Sequence, residues 1–270
     1  MALEFGTVSE AVEVSSVGRS SPCQHPAEFV AELAQLALEH RAVRHPYLDA
    51  LRDGTLPDPT WALRDFANQY IGYSKAFPDY LRAVIAQLPD PAHQAALQDN
   101  LTEESGQYSE EDLRELESIG VQREWVDGVP HPDLFRRFVF AVGASAKGPE
   151  ENMVASWRAQ LLKILSGGSA AKAVGAIGLG TENVVSTMYQ SFVVACGREA
   201  NLDGRSTVFF ALHTAIDDDH QETLQRLAED FATTARGRSD LRCGMLEALS
   251  ARAAFWDWML DRALDSRLHS

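Results

Sequence analysis

The stretch FFALHTAIDDDHQETL (209–224) places two histidines and an aspartate at positions 213, 217 and 220. A helix advances about 100° per residue, so His213, Asp217 and His220 fall on one face. Phe209, Ile216 and Leu224 share that face, whereas Asp218 and Asp219 turn toward solvent. Two imidazoles and a carboxylate aimed into apolar surroundings need compensation. A divalent metal would supply it, and so would a buried hydrogen-bond network in which Asp217 pairs with a histidine. The stretch alone leaves both open.

Three further residues bear on the choice. Glu104 in AHQAALQDNLTEESG (92–106) stands seven residues after Leu97 and continues its apolar stripe, while Glu103 turns away. His131 opens PHPDLFRRFVFAVG (130–143), either as a surface residue of a first helical turn or as a ligand. Glu182 is the only acidic residue between Asn152 and Arg198, which marks a buried functional group or a helix-start charge, with burial the favoured reading. The candidates are then Glu104, His131, Glu182, His213, Asp217 and His220. Mixed nitrogen and oxygen donors with several carboxylates suit iron or manganese better than zinc. The set is larger than one ion with open positions needs, and it suffices for two ions sharing a carboxylate. A ferritin-like site would use Glu-x-x-His motifs; the chain has none. The glycines of GGSAAKAVGAIGLGTENVV (167–185) lack the G-K-[ST] of a phosphate cradle and read instead as close-packing positions between helices.

The elements that must position these residues read as helices throughout. Runs rich in Ala, Leu, Glu, Gln and Arg dominate, and no sustained period-2 alternation appears. We expect an all-α domain over residues 25–270 after a flexible N-terminal tail, 1–24. Pro26 starts a helix through about Val43, broken by His45-Pro46. Thr60 is the expected cap of a long helix from Trp61 to about Gln87, which carries Tyr70, Tyr73 and Lys75. Tyr70 is a core tyrosine or a substrate contact, and Lys75 is a candidate partner for a substrate carboxylate. Further helices are expected at 92–105, about 111–119, 130–143 and 149–165. LDGRS (202–206) precedes the His-Asp-His helix, and GRSD (237–240) separates it from a last helix, Leu241 to about Ala263.

The chain has 270 residues, with 24 Lys plus Arg against 39 Asp plus Glu. The formal charge of -15 argues against nucleic acid as a partner. No apolar run nears the roughly 18 residues of a membrane span, and the N-terminus lacks the basic region of a secretory signal. Three cysteines far apart fit a reducing cytoplasm.

The chain resembles the haem-oxygenase-like diiron oxidases, also called the iron-containing redox enzyme family. The resemblance runs from about His45 to the last helix. It is carried by HPYLDALRDGTL, YSKAFPDYL, NLTEESG, HPDLFRRFVFAVG, GLGTENVVSTMY and FFALHTAIDDDHQETL, in that order. The family's first glutamate ligand matches Glu104, its first histidine His131, its bridging glutamate Glu182 and its closing triplet His213, Asp217 and His220. The match of His131 rests on its HPDLFRRF context, because the segment after Glu104 is longer than in compact members. Leu48 stands where some members carry a tyrosine that they consume as substrate, which argues against that chemistry.

The resemblance implies a seven-helix haem-oxygenase-like bundle, two Fe(II) ions of unequal affinity, O2 as co-substrate and no haem. Glu104, His131 and Glu182 would hold one iron, with Glu182 bridging; the other two imidazoles complete the pair, and Asp217 binds the weaker iron. By analogy the substrate is a small amino acid or a derivative, oxidised at an unactivated C–H by desaturation, C–C cleavage or cyclisation. An external electron donor and a homodimer are in keeping with the family. Two alternatives stand beside this reading: a diiron N-oxygenase that hydroxylates an amine, and a non-catalytic metal- or cofactor-binding helical protein.

Overall fold

Proline opens helix after helix along the N-terminal half, because its missing N–H costs nothing in a first turn and its fixed φ suits one. The computed structural model describes residues 24–145, 151–215 and 217–265, with the side chains of 215–221 outside the described set. The described residues form α1 (Pro26–Glu39), α2 (Pro46–Asp53), α3 (Pro59–Ser74), α4 (Phe77–Ile85), α5 (Pro91–Glu104), α6 (Glu110–Ser118) and α7 (Arg123–Val126). Next come α8 (His131–Ala141), α9 (Asn152–Leu165), α10 (Ala170–Val174), a π-helical segment (Gly175–Glu182) and α11 (Asn183–Cys196). The chain ends with α12 (Gly204–Ala215), α13 (Asp217–Phe231) and α14 (Ala235–Leu264). No strand occurs among the described residues, so the all-α expectation holds. None of their helices is long and apolar enough to cross a membrane. Residues 1–23 of the expected tail lie outside the described residues.

The helices are cut more finely than the sequence patterns indicate. The helix expected from Trp61 to Gln87 is two, α3 and α4, because Pro78 in the first turn of α4 cannot donate back to the preceding turn. The cap of α3 is Asp58, not Thr60: Pro59 takes the first helical position, and Asp58 Oδ1 accepts from Trp61 N at 2.9 Å. Thr60 instead donates its hydroxyl to the Glu199 carboxylate. The first helix stops at Glu39, four residues short of expectation, and His45 caps the separate α2 with its Nδ1. GRSD does not interrupt the chain. Thr234 caps α14 by accepting from Gly237 N at 3.0 Å, and one 30-residue helix runs through the segment.

Around the site the packing is aromatic. Phe66 of α3 lies 4.2 Å from Phe192, 4.8 Å from Tyr70 and 6.0 Å from Phe135, centroid to centroid, so α3, α8 and α11 share one ring cluster. The π segment packs along α14 with no room for side chains. A Cβ at Gly175 would strike the Leu241 carbonyl, and one at Gly244 would strike the Lys172 carbonyl. One at Gly180 would come within 2.9 Å of the Met245 carbonyl oxygen and of Ala248 Cβ. The close-packing reading of these small residues is therefore correct. Gly175→Ala or Gly244→Ala should destabilise by about 2–3 kcal/mol through overpacking against backbone that cannot rotate away. A melting point lowered by roughly 5–10 °C in calorimetry is the expected outcome. Gly197→Ala, which meets only ordinary contacts at 3.4 Å and beyond, serves as the near-neutral control.

Candidate metal centre

Glu104 is the last residue of α5 and His131 the first of α8, so two helix ends must meet for them to cooperate. Gly106 brings this about. Its φ of +86° turns the chain sharply after α5, and the missing side chain lets Val129 backbone lie against it. Gly128 N then donates to Gly106 O at 2.8 Å, tying the two helix ends together. The result buries Glu104 and His131 to 5% and 4% exposure, with Glu104 Oε1 3.0 Å from His131 Nδ1.

That 3.0 Å approach lacks hydrogen-bond alignment, and His131 Nδ1 is buried without any hydrogen-bond partner. The other ring nitrogen, Nε2, sits 2.7 Å from Tyr108 Oη. A cation on Nδ1 would leave the ring proton on Nε2, with Tyr108 Oη as its acceptor. Burial, followed by the charge of Glu104, raises the Tyr108 pKa, so its hydroxyl stays protonated and neutral. His213, in the last turn of α12, is oriented in the same manner. Its Nδ1 lies 2.6 Å from the Phe209 carbonyl, which fixes the proton there and gives Nε2 the lone pair. Ligating histidines are held in this way, with one nitrogen donating outward and the other turned to the ion.

One donor atom from each of Glu104, His131 and His213 lies within 4.8 Å of the others, close enough to surround a single ion. Glu104 also stands at the C-terminal, negative end of α5, where a carboxylate is unfavourable unless a cation offsets it. The orphaned Nδ1, the carboxylate beside it and the mixed donor set fit iron. Glu182 closes the π segment at 7% exposure and lines the same cavity as the three donors. A π turn widens the helix, a departure found mostly at functional sites. Asp217 and His220 fall in the first turns of α13, and their side chains lie outside the described residues.

Counted with the solvent open at its mouth, the cavity has about 370 Å³ of space not filled by protein atoms. Beyond Glu104, His131, Glu182 and His213, its wall includes Phe77, Val185 and Phe209 as apolar surface and Tyr70, Tyr73 and Tyr189 as phenols. Tyr70 Oη and Tyr189 Oη share a hydrogen bond of 2.8 Å. Arg252 of α14 stands behind the phenols. It is 1% exposed and donates to Tyr73 Oη at 2.9 Å and Tyr70 Oη at 3.4 Å. Tyr70 thus lines the cavity. Lys75 does not: it caps α3 at the surface, because α3 ends there and its last turn points the long side chain to solvent. The expectation that Lys75 faces a substrate is corrected accordingly. Sequence reasoning missed Tyr108, Tyr189 and Arg252. A lone arginine inside ARAAFW (251–256) was the available signal, whereas nothing local distinguishes Tyr108.

A family model described as iron-containing redox enzyme matches residues 64–253. The chain belongs to the iron-containing redox enzyme family. No curated protein matches at a significant level. Among solved structures, this iron-containing redox enzyme is similar to a CADD-like protein of unknown function from Nostoc punctiforme. The two are 14% identical with a TM-score of 0.70, covering 89% of this chain and 99% of that one. A TenA homolog from Pseudomonas syringae pv. tomato aligns with TM-score 0.65 and 14% identity, over 90% of this chain and 96% of that one. A domain of unknown function with a heme oxygenase-like fold from Shewanella denitrificans aligns with TM-score 0.63 and 16% identity, over 87% and 90%. These identities speak for the fold alone, which is haem-oxygenase-like as expected. The expected seven helices are met as fourteen shorter α-helical pieces and the π segment among the described residues.

Tyr108→Phe tests the outward hold on His131. Removing such a partner typically weakens metal affinity about 10–100-fold. Competition of Fe(II) against a chromophoric chelator should show a loss in that range, with the melting point of the metal-free protein little changed.

Proposed function

We propose that this iron-containing redox enzyme is an O2-dependent diiron oxidase acting on an unactivated C–H of a small amino acid or amino-acid derivative. The observation that carries the reading is the convergence of buried Glu104 and His131 with half-buried His213 at the wall of one cavity. Glu182 lines that cavity and is the candidate bridge, and Asp217 and His220 would complete the donor set from the start of α13. Reduction of O2 to water takes four electrons; two from ferrous ions and two from a C–H substrate meet that count, so an external electron donor would close the cycle.

The chain's own residues have definable tasks. Phe77, Val185 and Phe209 offer apolar surface to the hydrocarbon part of a substrate and exclude water from the reacting carbon. Tyr108 and the Phe209 carbonyl keep the two imidazoles in a fixed tautomer. Burial raises the Tyr189 and Tyr73 pKa values, so both phenols keep their protons at neutral pH and can donate hydrogen bonds.

Anaerobic titration of metal-free protein with Fe(II) tests this. Uptake of about two irons per chain is expected, and rapid mixing with O2 should give a transient visible absorption only when a pool of amino acids contains the substrate. No iron uptake would overturn the proposal. Asp217→Ala should fold, retain the stronger iron and lose turnover; normal turnover in that variant would remove Asp217 from the centre.

A further inference from the structure

Arg252 is the most deeply buried charge among the described residues, and no carboxylate among them lies within ion-pair distance of it. Its Nε has no hydrogen-bond partner. Its direct contacts among the described residues are neutral: the Tyr73 and Tyr70 hydroxyls, and the faces of Tyr73 and Trp157 at 5.2 and 5.4 Å from the guanidinium carbon. Hydroxyls and ring faces solvate a cation without neutralising it. A buried charge is ordinarily balanced by an opposite one, and Tyr70 and Tyr73, which accept its hydrogen bonds, line the cavity together with Tyr189.

The phenols also have hydrogen to give. Tyr70 and Tyr189 share one hydrogen bond between two hydroxyls, so one O–H proton of the pair is left over. Both tyrosine oxygens bonded to Arg252 act as its acceptors, which polarises their O–H bonds toward any anion beyond them. Glu104 and Glu182 line the same cavity, and Glu182 lies within electrostatic reach of Tyr73, so an anion would be held by the phenol hydroxyls that Arg252 backs.

We propose that Arg252, acting through the Tyr70 and Tyr73 hydroxyls, makes this end of the cavity a receptor for the carboxylate of the substrate. Arg252 is a positioning residue; the tyrosine hydroxyls make the contact. The inference rests on the small-molecule oxidase reading and narrows it. The substrate enters with its carboxylate toward α14, and the carbon to be oxidised lies toward Glu104 and His131. Uncharged amines and alcohols of the same length are then poor ligands.

The test uses full-length protein loaded anaerobically with Fe(II), and reads binding rather than turnover. Butanoate, hexanoate and their primary amides are titrated while intrinsic tryptophan fluorescence is followed. Wild-type protein should prefer each carboxylate over its amide at least tenfold. Arg252→Gln and Tyr73→Phe should each reduce that preference at least fivefold in the same metal state, which cancels whatever the iron itself contributes. Arg252→Lys should restore part of it. A purely structural role would weaken carboxylate and amide alike and leave the ratio unchanged, which would overturn the proposal. Equal binding of carboxylate and amide by wild type would overturn it too. If Arg252→Gln does not fold, Tyr73→Phe decides alone. Iron uptake with no carboxylate preference would reject the receptor and keep the oxidase; absence of iron uptake would reject the oxidase.

Discussion

The arrangement depends on donor atoms of a buried carboxylate, a buried imidazole and a half-buried imidazole being held within 4.8 Å of one another. A carboxylate so placed, at the negative end of its own helix, is stable only beside positive charge. The backbone is built to accept that condition. Glu104 and His131 sit on opposite sides of a 26-residue connection whose two ends are drawn together at two positive-φ glycines, Gly106 and Gly128, joined by one backbone hydrogen bond. α6 and α7 lie within that connection. Leu113, Leu116 and Val126 are buried there, so the insertion has its own apolar anchor and does not hang from the site.

On the other side the centre is set by how closely two helices approach. The π segment widens the chain just before Glu182, and its glycines let α14 press against it. Bulk on either surface would push Glu182 along the cavity wall. The same approach carries Arg252 up behind Tyr70 and Tyr73. One packing contact therefore positions both the Glu182 carboxylate and the Arg252 guanidinium. Two cation–π contacts, each worth about 2 kcal/mol or more when desolvated, and two hydrogen bonds to tyrosine hydroxyls offset the several kcal/mol of taking the guanidinium out of water. Among the described residues no carboxylate pairs with it.

How much of this was legible in the sequence follows from the range of each signal. Glu104 stood out because it extended an apolar stripe, and Glu182 because it was isolated; both are properties of one helix, and both residues are buried as read. The all-α class followed from periodicity. Helix boundaries were less legible. Pro78 was the sign that Trp61–Gln87 is two helices, but the flanking apolar spacing runs smoothly across it. GRSD has the composition of a turn, and only the cap supplied by Thr234 shows that it belongs to a first helical turn. Lys75 was placed on a continuous helix; once that helix ends at Ser74, its side chain leaves the cavity.

Residues whose importance lies in contacts between distant segments were silent. Tyr108 meets His131 from 23 positions away, and Tyr189 meets Tyr70 from 119. Arg252 reaches Tyr73 across 179 positions. None of these pairs has a local pattern, since each depends on which helix ends meet and how closely helices approach. The functional consequence is an asymmetry. The candidate ligands stand out on single helices, because coordination demands particular residue types. The groups that would select a substrate are ordinary tyrosines and one arginine, and they acquire that task only when α3, α11 and α14 converge. The approach of α14 to the π segment thus sets where these tyrosines and Arg252 stand, independently of Glu104, His131 and His213.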